Sequence, residues 1–348
     1  MLMKKYLLGG KGKFYKANLH LHTTVSDGKL TPQQAKEEYK KRGYSILAYA
    51  DHEVLVPHHD LSDENFLAIT ACELAINENV ENAPFPFLKT YHLNFYAKDK
   101  KAIICPFFNE DGIWLKNSLA YVAEEMKHIH YTRTYDTECI NNILKKSKEN
   151  GFLVTLNHPK WSQQSYPDYI NLKGLWGIEV YNTHCARVGY LDTDMPYNDL
   201  LKKGNNIVPL ATDDTHVIDG AFSGFTMIEA DKLDYENILT AMEQGHIYSS
   251  NGPLINSISF ENNKIFVSCS EASKIILNTE RRWSRVAMGD KITYAEFDLT
   301  DYFSGNEVFI EKKSRYIRLT IIDNQGRMAW TRAYFVKRLG KGIYNLHK

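Results

Sequence analysis

The sequence predicts an α/β protein in which a barrel of mostly parallel strands is followed by a smaller antiparallel β domain. Over the first 250 residues, apolar segments with strand character alternate with helical segments. Most of these strands carry a polar residue at the carboxyl end, which is the face where (β/α) barrels hold their active sites. After the turn Asn251-Gly252-Pro253, short strand-like segments separated by turn residues replace this alternation.

Seven strands are predicted before that turn. The first covers about residues 14–22, and a helix follows over residues 32–42, with Thr31 as its N-cap, Pro32 at its first position and Gly43 after its end. Two more helices are predicted over residues 115–130 and 136–150. The other strands are predicted at residues 45–52, 67–73, 90–96, 152–158, 176–182 and 206–216.

The carboxyl-terminal part of the chain has the pattern of a small antiparallel sandwich of about 95 residues. We therefore predict a barrel domain over residues 1–250 and a β-sandwich domain over residues 251–348. The strands of the second domain are predicted at residues 255–260, 264–268, 274–277, 307–310, 316–322 and 328–336.

Composition narrows the class of protein. Of the 348 residues, 42 are Lys or Arg and 42 are Asp or Glu, so the overall charge favours no polyanionic partner. Neither a basic run nor a basic patch interleaved with aromatic residues supports nucleic-acid binding, although phosphodiester cleavage would use the same chemistry. The five scattered cysteines predict reduced thiols, and no apolar run reaches the ~20 residues of a membrane span. We expect a soluble, cytoplasmic protein of unknown oligomeric state.

Histidine and carboxylate residues recur at the ends of the predicted strands. His20 and His22 share one side of the first strand, because side chains alternate along a strand. A mixed nitrogen and oxygen donor set suits zinc, manganese or iron, and nine donors are enough for two or three ions with a bridging carboxylate. The nine predicted metal ligands are His20, His22, Asp27, His52, Glu73, His92, His158, Asp214 and His216.

Such a centre has a specific use in hydrolysis. A bound metal lowers the pKa of water to about 7 and supplies hydroxide at neutral pH, and paired ions clamp both oxygens of an in-line displacement. Phosphate ester hydrolysis of a small phosphorylated substrate fits this chemistry best. A carboxyl ester, carbamate or amide hydrolase with the same centre is the first alternative. A metal-stabilised binding module without catalysis is the second.

As an ordered set, these motifs resemble the polymerase and histidinol phosphatase (PHP) superfamily over roughly residues 14–220. The resemblance implies a distorted (β/α)7 barrel with up to three metals. It assigns one ion to His20, His22, Glu73 and Asp214, a second to Glu73, His92 and His158, and a third to Asp27, His52 and His216. The segment 245–253 and the β-rich tail resemble the carbaryl-hydrolase-like branch. The family pattern Asp-x-His favours Asp214 as the ligand over its neighbour Asp213.

Further residues near these strand ends are candidates for roles in the reaction. His216 or His184 is expected to protonate the leaving oxygen. Asp51 is expected either to orient a ligand or to cap its loop. Lys160 and Arg187 follow ligand-bearing strands and are candidates for binding a substrate anion. Glu179 is expected to serve either the site or a structural ion pair, and His58 is expected to be solvated.

Overall fold

The structure, a computed structural model, describes residues 4–10, 12–110, 113, 115–304 and 316–335. Within these residues the chain forms ten strands up to the turn at residues 251–253. They are β1 Lys5–Leu8, β2 Lys13–Leu21, β3 Ile46–Tyr49, β4 Leu67–Asn77, β5 Thr90–Ala97, β6 Phe152–Leu156, β7 Gly177–Asn182, β8 Val208–Thr212, β9 Phe225–Ala230 and β10 Ile247–Ser250. Six strands follow the turn, namely β11 Ile255–Glu261, β12 Lys264–Thr279, β13 Arg285–Asp298, β14 Tyr316–Ile322, β15 Met328–Thr331 and β16 Tyr334–Phe335.

Eight α-helices lie within the described residues. They are α1 Pro32–Lys40, α2 Lys116–Leu119, α3 Thr137–Glu149, α4 Tyr166–Tyr169, α5 Thr183–Arg187, α6 Met195–Lys202, α7 Tyr235–Gln244 and α8 Thr300–Ser304. None is long and apolar enough to cross a membrane. Helix α1 begins as predicted, because Thr31 and Gln34 form a capping box and Pro32 occupies the first turn.

The predicted helix over residues 115–130 is wrong. The segment contains only α2 and a short 3-10 turn at Glu124–Met126. Two of its polar side chains bond to the loops after β2 and β3 instead: Asn117 donates to the carbonyl of Ser26 at 3.1 Å, and Ser118 donates to the carbonyl of His52 at 3.1 Å. These tertiary bonds hold the segment against the candidate site, where a continuous helix would run past it.

Seven strands stand side by side in the order β2-β3-β4-β5-β6-β7-β8. Their neighbours are parallel except on either side of β5, which is antiparallel to both β4 and β6. Just beyond the end of β8, Thr215 forms a parallel bridge with Leu21 of β2. The first and last strands of the series therefore meet at their carboxyl ends.

The sheet continues past β2 through β9 and β10 into the strands of the chain's tail. Strand β10 pairs antiparallel with β15, and β1 pairs antiparallel with β11. Strand β1, which the sequence analysis does not predict, therefore pairs with a strand of the chain's tail. No described strand beyond residue 255 lies between two of the seven, and the boundary near residue 250 stays a prediction. The strand predicted at residues 307–310 lies outside the described residues.

Candidate metal centre

The end of β2 brings two imidazoles together. His20 and His22 are fully buried, and their Nε2 atoms lie 3.2 Å apart. Leu19 precedes His20, and Leu21 lies between the two histidines. Both leucines are buried in apolar clusters on the other side of the strand. The alternation of side chains along β2 thus separates core residues from donors, as the sequence predicts.

Glu73 of β4 is the carboxylate that most of the histidines share. Asn157 donates a hydrogen bond to its Oε1 at 2.7 Å, which fixes the carboxylate. The Glu73 oxygens lie within 3.2–3.6 Å of ring nitrogens of five histidines, namely His20, His22, His52, His92 and His158. One buried carboxylate therefore faces donors from five different positions in the chain.

His92 reaches this cluster because of the direction of its strand. It lies near the start of β5, whereas the other histidines of the cluster lie near or just beyond the carboxyl ends of their strands. Since β5 is antiparallel to both of its neighbours, its beginning lies at the edge of the sheet where the other strands end.

The neighbours Asp213 and Asp214 have different partners. The carboxylate of Asp213 accepts hydrogen bonds from the hydroxyls of Tyr39 at 2.9 Å and Thr183 at 2.6 Å. Asp214 has a φ of +52°, and its Oδ1 lies 3.2 Å from His22 Nε2 and 3.4 Å from His20 Nε2. The left-handed backbone turns Asp214 out of the strand direction and toward the histidines, while Asp213 supports the loops around them.

A second carboxylate, Asp27, gathers donors at the outer end of the cluster. Its oxygens lie 3.4 Å from His216 Nε2, 3.7 Å from His22 Nδ1 and 3.8 Å from His52 Nε2. Gly28 follows it at a point where a β-carbon would lie 2.2 Å from the His22 carbonyl oxygen, so the turn that presents Asp27 requires glycine.

The ionisable groups of the cluster shift one another's pKa values in both directions. Burial raises the pKa of Glu73, but the histidines around it outweigh burial and hold that pKa well below its ordinary value. Burial and the neighbouring His22 lower the pKa of His52 to about 3. Burial also lowers the pKa of His216, but contact with Asp27 and the charge of Asp214 outweigh it and raise that pKa to about 9. The protonation of each of these closely spaced buried side chains thus depends on the charge of the others.

The geometry fits divalent ions. Several of the buried donor atoms make no hydrogen bond within the described part of the chain, among them His92 Nε2 and Asp214 Oδ1. Buried polar atoms without partners are rare unless a bound group satisfies them. Among the residues that the structure describes, four sets of side chains have ligand atoms within 4.8 Å of one another: His22, Asp27, His52 and His216; His20, His22 and Glu73; His20, His158 and Asp214; and Glu73, His92 and His158.

Glu179, whose role the sequence left open, forms hydrogen bonds that hold His20 and His158 in place. It is buried in β7, and its Oε1 lies 2.8 Å from His20 Nδ1. It also accepts hydrogen bonds from the backbone N–H of His158 at 3.0 Å, the side-chain amide of Asn182 at 3.0 Å and the Thr212 hydroxyl at 2.7 Å. By accepting from Nδ1–H, this carboxylate fixes the ring orientation in which His20 Nε2 faces the cluster.

Asp51 caps the loop that follows β2. Its buried carboxylate accepts hydrogen bonds from the backbone N–H and hydroxyl of Thr23, at 2.7 and 2.9 Å, and from the N–H and hydroxyl of Ser26, at 3.2 and 2.7 Å. Of the two roles expected for Asp51, the geometry is that of loop capping. Asp51 therefore fixes the approach of the chain to Asp27 without belonging to any of the donor sets.

The remaining predicted residues separate into two groups. His184 lines the cavity beside the donors, with its ring 5.3 Å from that of His216. Lys160 is exposed, and the guanidinium of Arg187 bonds to Asp219, so neither lies in the cavity wall. The solvated position expected for His58 is wrong, because its ring packs on Tyr49 at 4.8 Å.

The donors open into a cavity of about 550 Å³. Its wall also contains the aromatic rings of Phe85 and Trp161, which sequence reasoning missed. Trp161 lies only three residues after His158, and this proximity to a predicted ligand was the one available indication.

Comparison with known proteins gives fold neighbours of low similarity. No family model matches the sequence, and no curated protein matches it. A solved two-domain protein from Bacteroides vulgatus, named as containing a predicted PHP-like metal-dependent phosphoesterase, is 14% identical, with a TM-score of 0.44 over 95% of this chain and 98% of that one.

Two further solved structures cover about two thirds of the chain. An amidohydrolase from Chromobacterium violaceum is 12% identical, with a TM-score of 0.40 over 66% of this chain and 96% of that one. A lesion-specific endonuclease from Pyrococcus furiosus is 16% identical, with a TM-score of 0.40 over 67% of this chain and 56% of that one.

Proposed function

We propose that this protein is a metal-dependent hydrolase of the PHP type that acts as a phosphoesterase on a small phosphorylated substrate. The observation that carries the proposal is the Glu73 carboxylate, which five histidines share at the base of one cavity. A buried carboxylate between several imidazoles is the donor arrangement of a multinuclear centre for zinc, manganese or iron.

The donor sets support three ion positions. His20, His22, Glu73 and Asp214 would hold one ion, and Glu73, His92 and His158 would hold a second. Asp27, His52 and His216 would hold a third, with His22 close to it. The seven strands β2 to β8 would form the distorted (β/α)7 barrel that carries these donors.

When bound, divalent ions lower the pKa of a water to about 7 and neutralise the charge that develops on phosphoryl oxygens. In the reaction, an oxygen–phosphorus bond forms to water as the bond from phosphorus to the leaving oxygen breaks. The leaving oxygen takes one proton and the attacking water loses one. His184 lines the cavity but belongs to none of the donor sets formed by the described residues, so it is placed to hand a proton to the leaving oxygen.

One observation favours hydrolysis of an uncharged ester as the second candidate. Within the described part of the chain, the cavity wall contains no Lys or Arg, and it includes the apolar residues Ala75, Phe85 and Trp161. The same centre would then attack a carbonyl carbon. A panel of phosphate monoesters, phosphodiesters and carboxyl esters with matched alcohol groups separates the two reactions.

The decisive experiment pairs Glu73→Gln with Glu64→Gln, a control at an exposed position. Elemental analysis of the wild-type protein should give at least about one equivalent of transition metal, together with phosphate release from the panel. Glu73→Gln should lose metal from two positions and most of its turnover, and Glu64→Gln should retain both.

Three results bear on the proposal differently. Equal metal content and equal rates in Glu73→Gln and wild type would refute Glu73 as a shared ligand. Carboxyl ester cleavage without phosphate release would select the second candidate. Metal binding with no hydrolysis of any ester would indicate a binding module.

A further inference from the structure

The cavity beside the donors has two kinds of lining residue. Asp27, Glu73, Asp214 and the histidines are ionisable, Asn77 adds an amide, and Ala75, Phe85 and Trp161 are apolar. A substrate that fills about 550 Å³ therefore contacts the donors with its reacting ester and the apolar residues with another part.

Trp161 is fixed against the donors. Its ring packs edge to face on His158 at 5.0 Å and on His92 at 5.3 Å between ring centres. Any group that lies against the exposed part of Trp161 is thus beside two of the predicted ligands.

Phe85 completes this wall from a different loop. Its ring centre lies 6.4 Å from that of Trp161, and 47% of the residue is exposed although it is apolar. The 3-10 turn at Phe85–Phe87 is tied to the Trp161 loop, because the Gln163 amide donates to the Pro86 carbonyl at 2.9 Å. The two rings are therefore held together as one surface.

The charge of the wall excludes several kinds of substrate. Its described residues include no Lys or Arg. The nearest basic candidates from the sequence point elsewhere, since Lys160 is exposed and Arg187 pairs with Asp219. A polyphosphate or a nucleic-acid backbone needs cations along its length. A sugar phosphate needs several hydrogen-bonding groups for its hydroxyls, whereas Asn77 is the one amide side chain among the described lining residues, beside Ala75, Phe85 and Trp161.

We propose that Phe85 and Trp161 form a subsite for a planar aromatic group on the alcohol side of the scissile ester, so that the substrate class is monoesters of aromatic alcohols. The inference rests on the proposed phosphoesterase function. Aromatic rings in offset or edge-to-face contact favour a planar aromatic partner over a saturated ring of similar size.

The test compares benzyl phosphate with cyclohexylmethyl phosphate, because both have primary alcohol leaving groups of similar acidity and size. The wild-type protein should prefer benzyl phosphate by roughly three- to tenfold in kcat/KM. Phe85→Leu should bring the ratio close to one, mainly by raising KM for benzyl phosphate. Phe87→Leu is the matched control, since Phe87 lies in the same turn, is 74% exposed and is outside the cavity wall.

Binding of the non-hydrolysable phenylphosphonate, measured by calorimetry on the metal-loaded protein, gives a readout without turnover. Affinity should fall in Phe85→Leu and stay unchanged in Phe87→Leu. If both esters are cleaved equally well and the two variants behave alike, the aromatic subsite is refuted while the phosphoesterase stands. If neither ester is cleaved but phenylphosphonate binds with the expected dependence on Phe85, the phosphoesterase proposal fails and the subsite stands.

Discussion

Replacing Glu179 by glutamine keeps the size of a side chain that accepts four hydrogen bonds but removes its charge and half of its acceptor capacity. On one side, Oε1 faces His20 Nδ1 and the Thr212 hydroxyl. On the other, Oε2 faces the His158 N–H and the Asn182 amide. A glutamine amide can present its oxygen to only one of these sides.

Both orientations of the glutamine are costly. If its NH2 group faces His158 and Asn182, two donors oppose it and two hydrogen bonds to a charged acceptor are lost. If the NH2 group faces His20, the imidazole can satisfy it only by accepting at Nδ1, which places the proton on Nε2, inside the cluster. Changes of partners behind metal-ligating histidines typically lower metal affinity or activity by about 10- to 100-fold, and we expect a loss of that size.

The assay is competition with a chelator for metal, followed by the phosphoesterase rate, with unfolding temperature as the check on folding. Glu243→Gln is the control, because Glu243 makes a surface ion pair with Lys98 and is far from any donor set. A Glu179→Gln protein that folds and keeps wild-type metal affinity would refute the claim that Glu179 orients the His20 ring.

Three other predictions concern the support of the site and the two parts of the chain. Burial raises the pKa of Asp192 to about 6. Folding therefore favours the protonated form, and the free energy of unfolding falls as the pH rises from about 4 to 6. In thermal unfolding, Asp192→Asn should stabilise the protein by up to about 3 kcal/mol at pH 8 and by less at pH 5. Asp51→Ala should release the loop at Thr23 and Ser26 and lower metal content, whereas Asp60→Ala, at an exposed position, should leave it unchanged in elemental analysis. Truncation after residue 250 should leave β1 and β10 without their partners β11 and β15 and so cause aggregation in size-exclusion chromatography, and a monodisperse fragment would contradict this expectation.

The clustering of the nine predicted ligands could be expected from the sequence, because strands and polar residues at strand ends give separate signals. The apolar run before His20 and the one before His158 each indicate a buried strand, and each histidine marks where that run ends. Parallel strands then place such ends at one edge of the sheet. The structure brings all nine predicted donors together there.

Interactions that depend on strand direction or on distant loops escaped the sequence. Nothing in the composition of residues 90–97 shows that β5 is antiparallel. The importance of Glu179 depends on Thr212 and His158, which approach it only after folding. Lys160 follows a ligand in sequence and was expected near the substrate, but the turn after His158 directs its side chain to solvent, whereas Trp161, one position later, reaches the cavity.

The junction between β2 and β8 also bears on when a centre of this kind can be completed. The Asp214 N–H donates to the His20 carbonyl at 2.8 Å, and the His22 N–H donates to the Thr215 carbonyl at 3.0 Å. Roughly 190 residues separate these partners, so at about 5–20 residues per second a ribosome needs roughly ten to forty seconds to make the second set after the first. During that interval the nascent chain offers an ion only its early donors. The full set of nine predicted ligands is therefore assembled only after β8 has been synthesised.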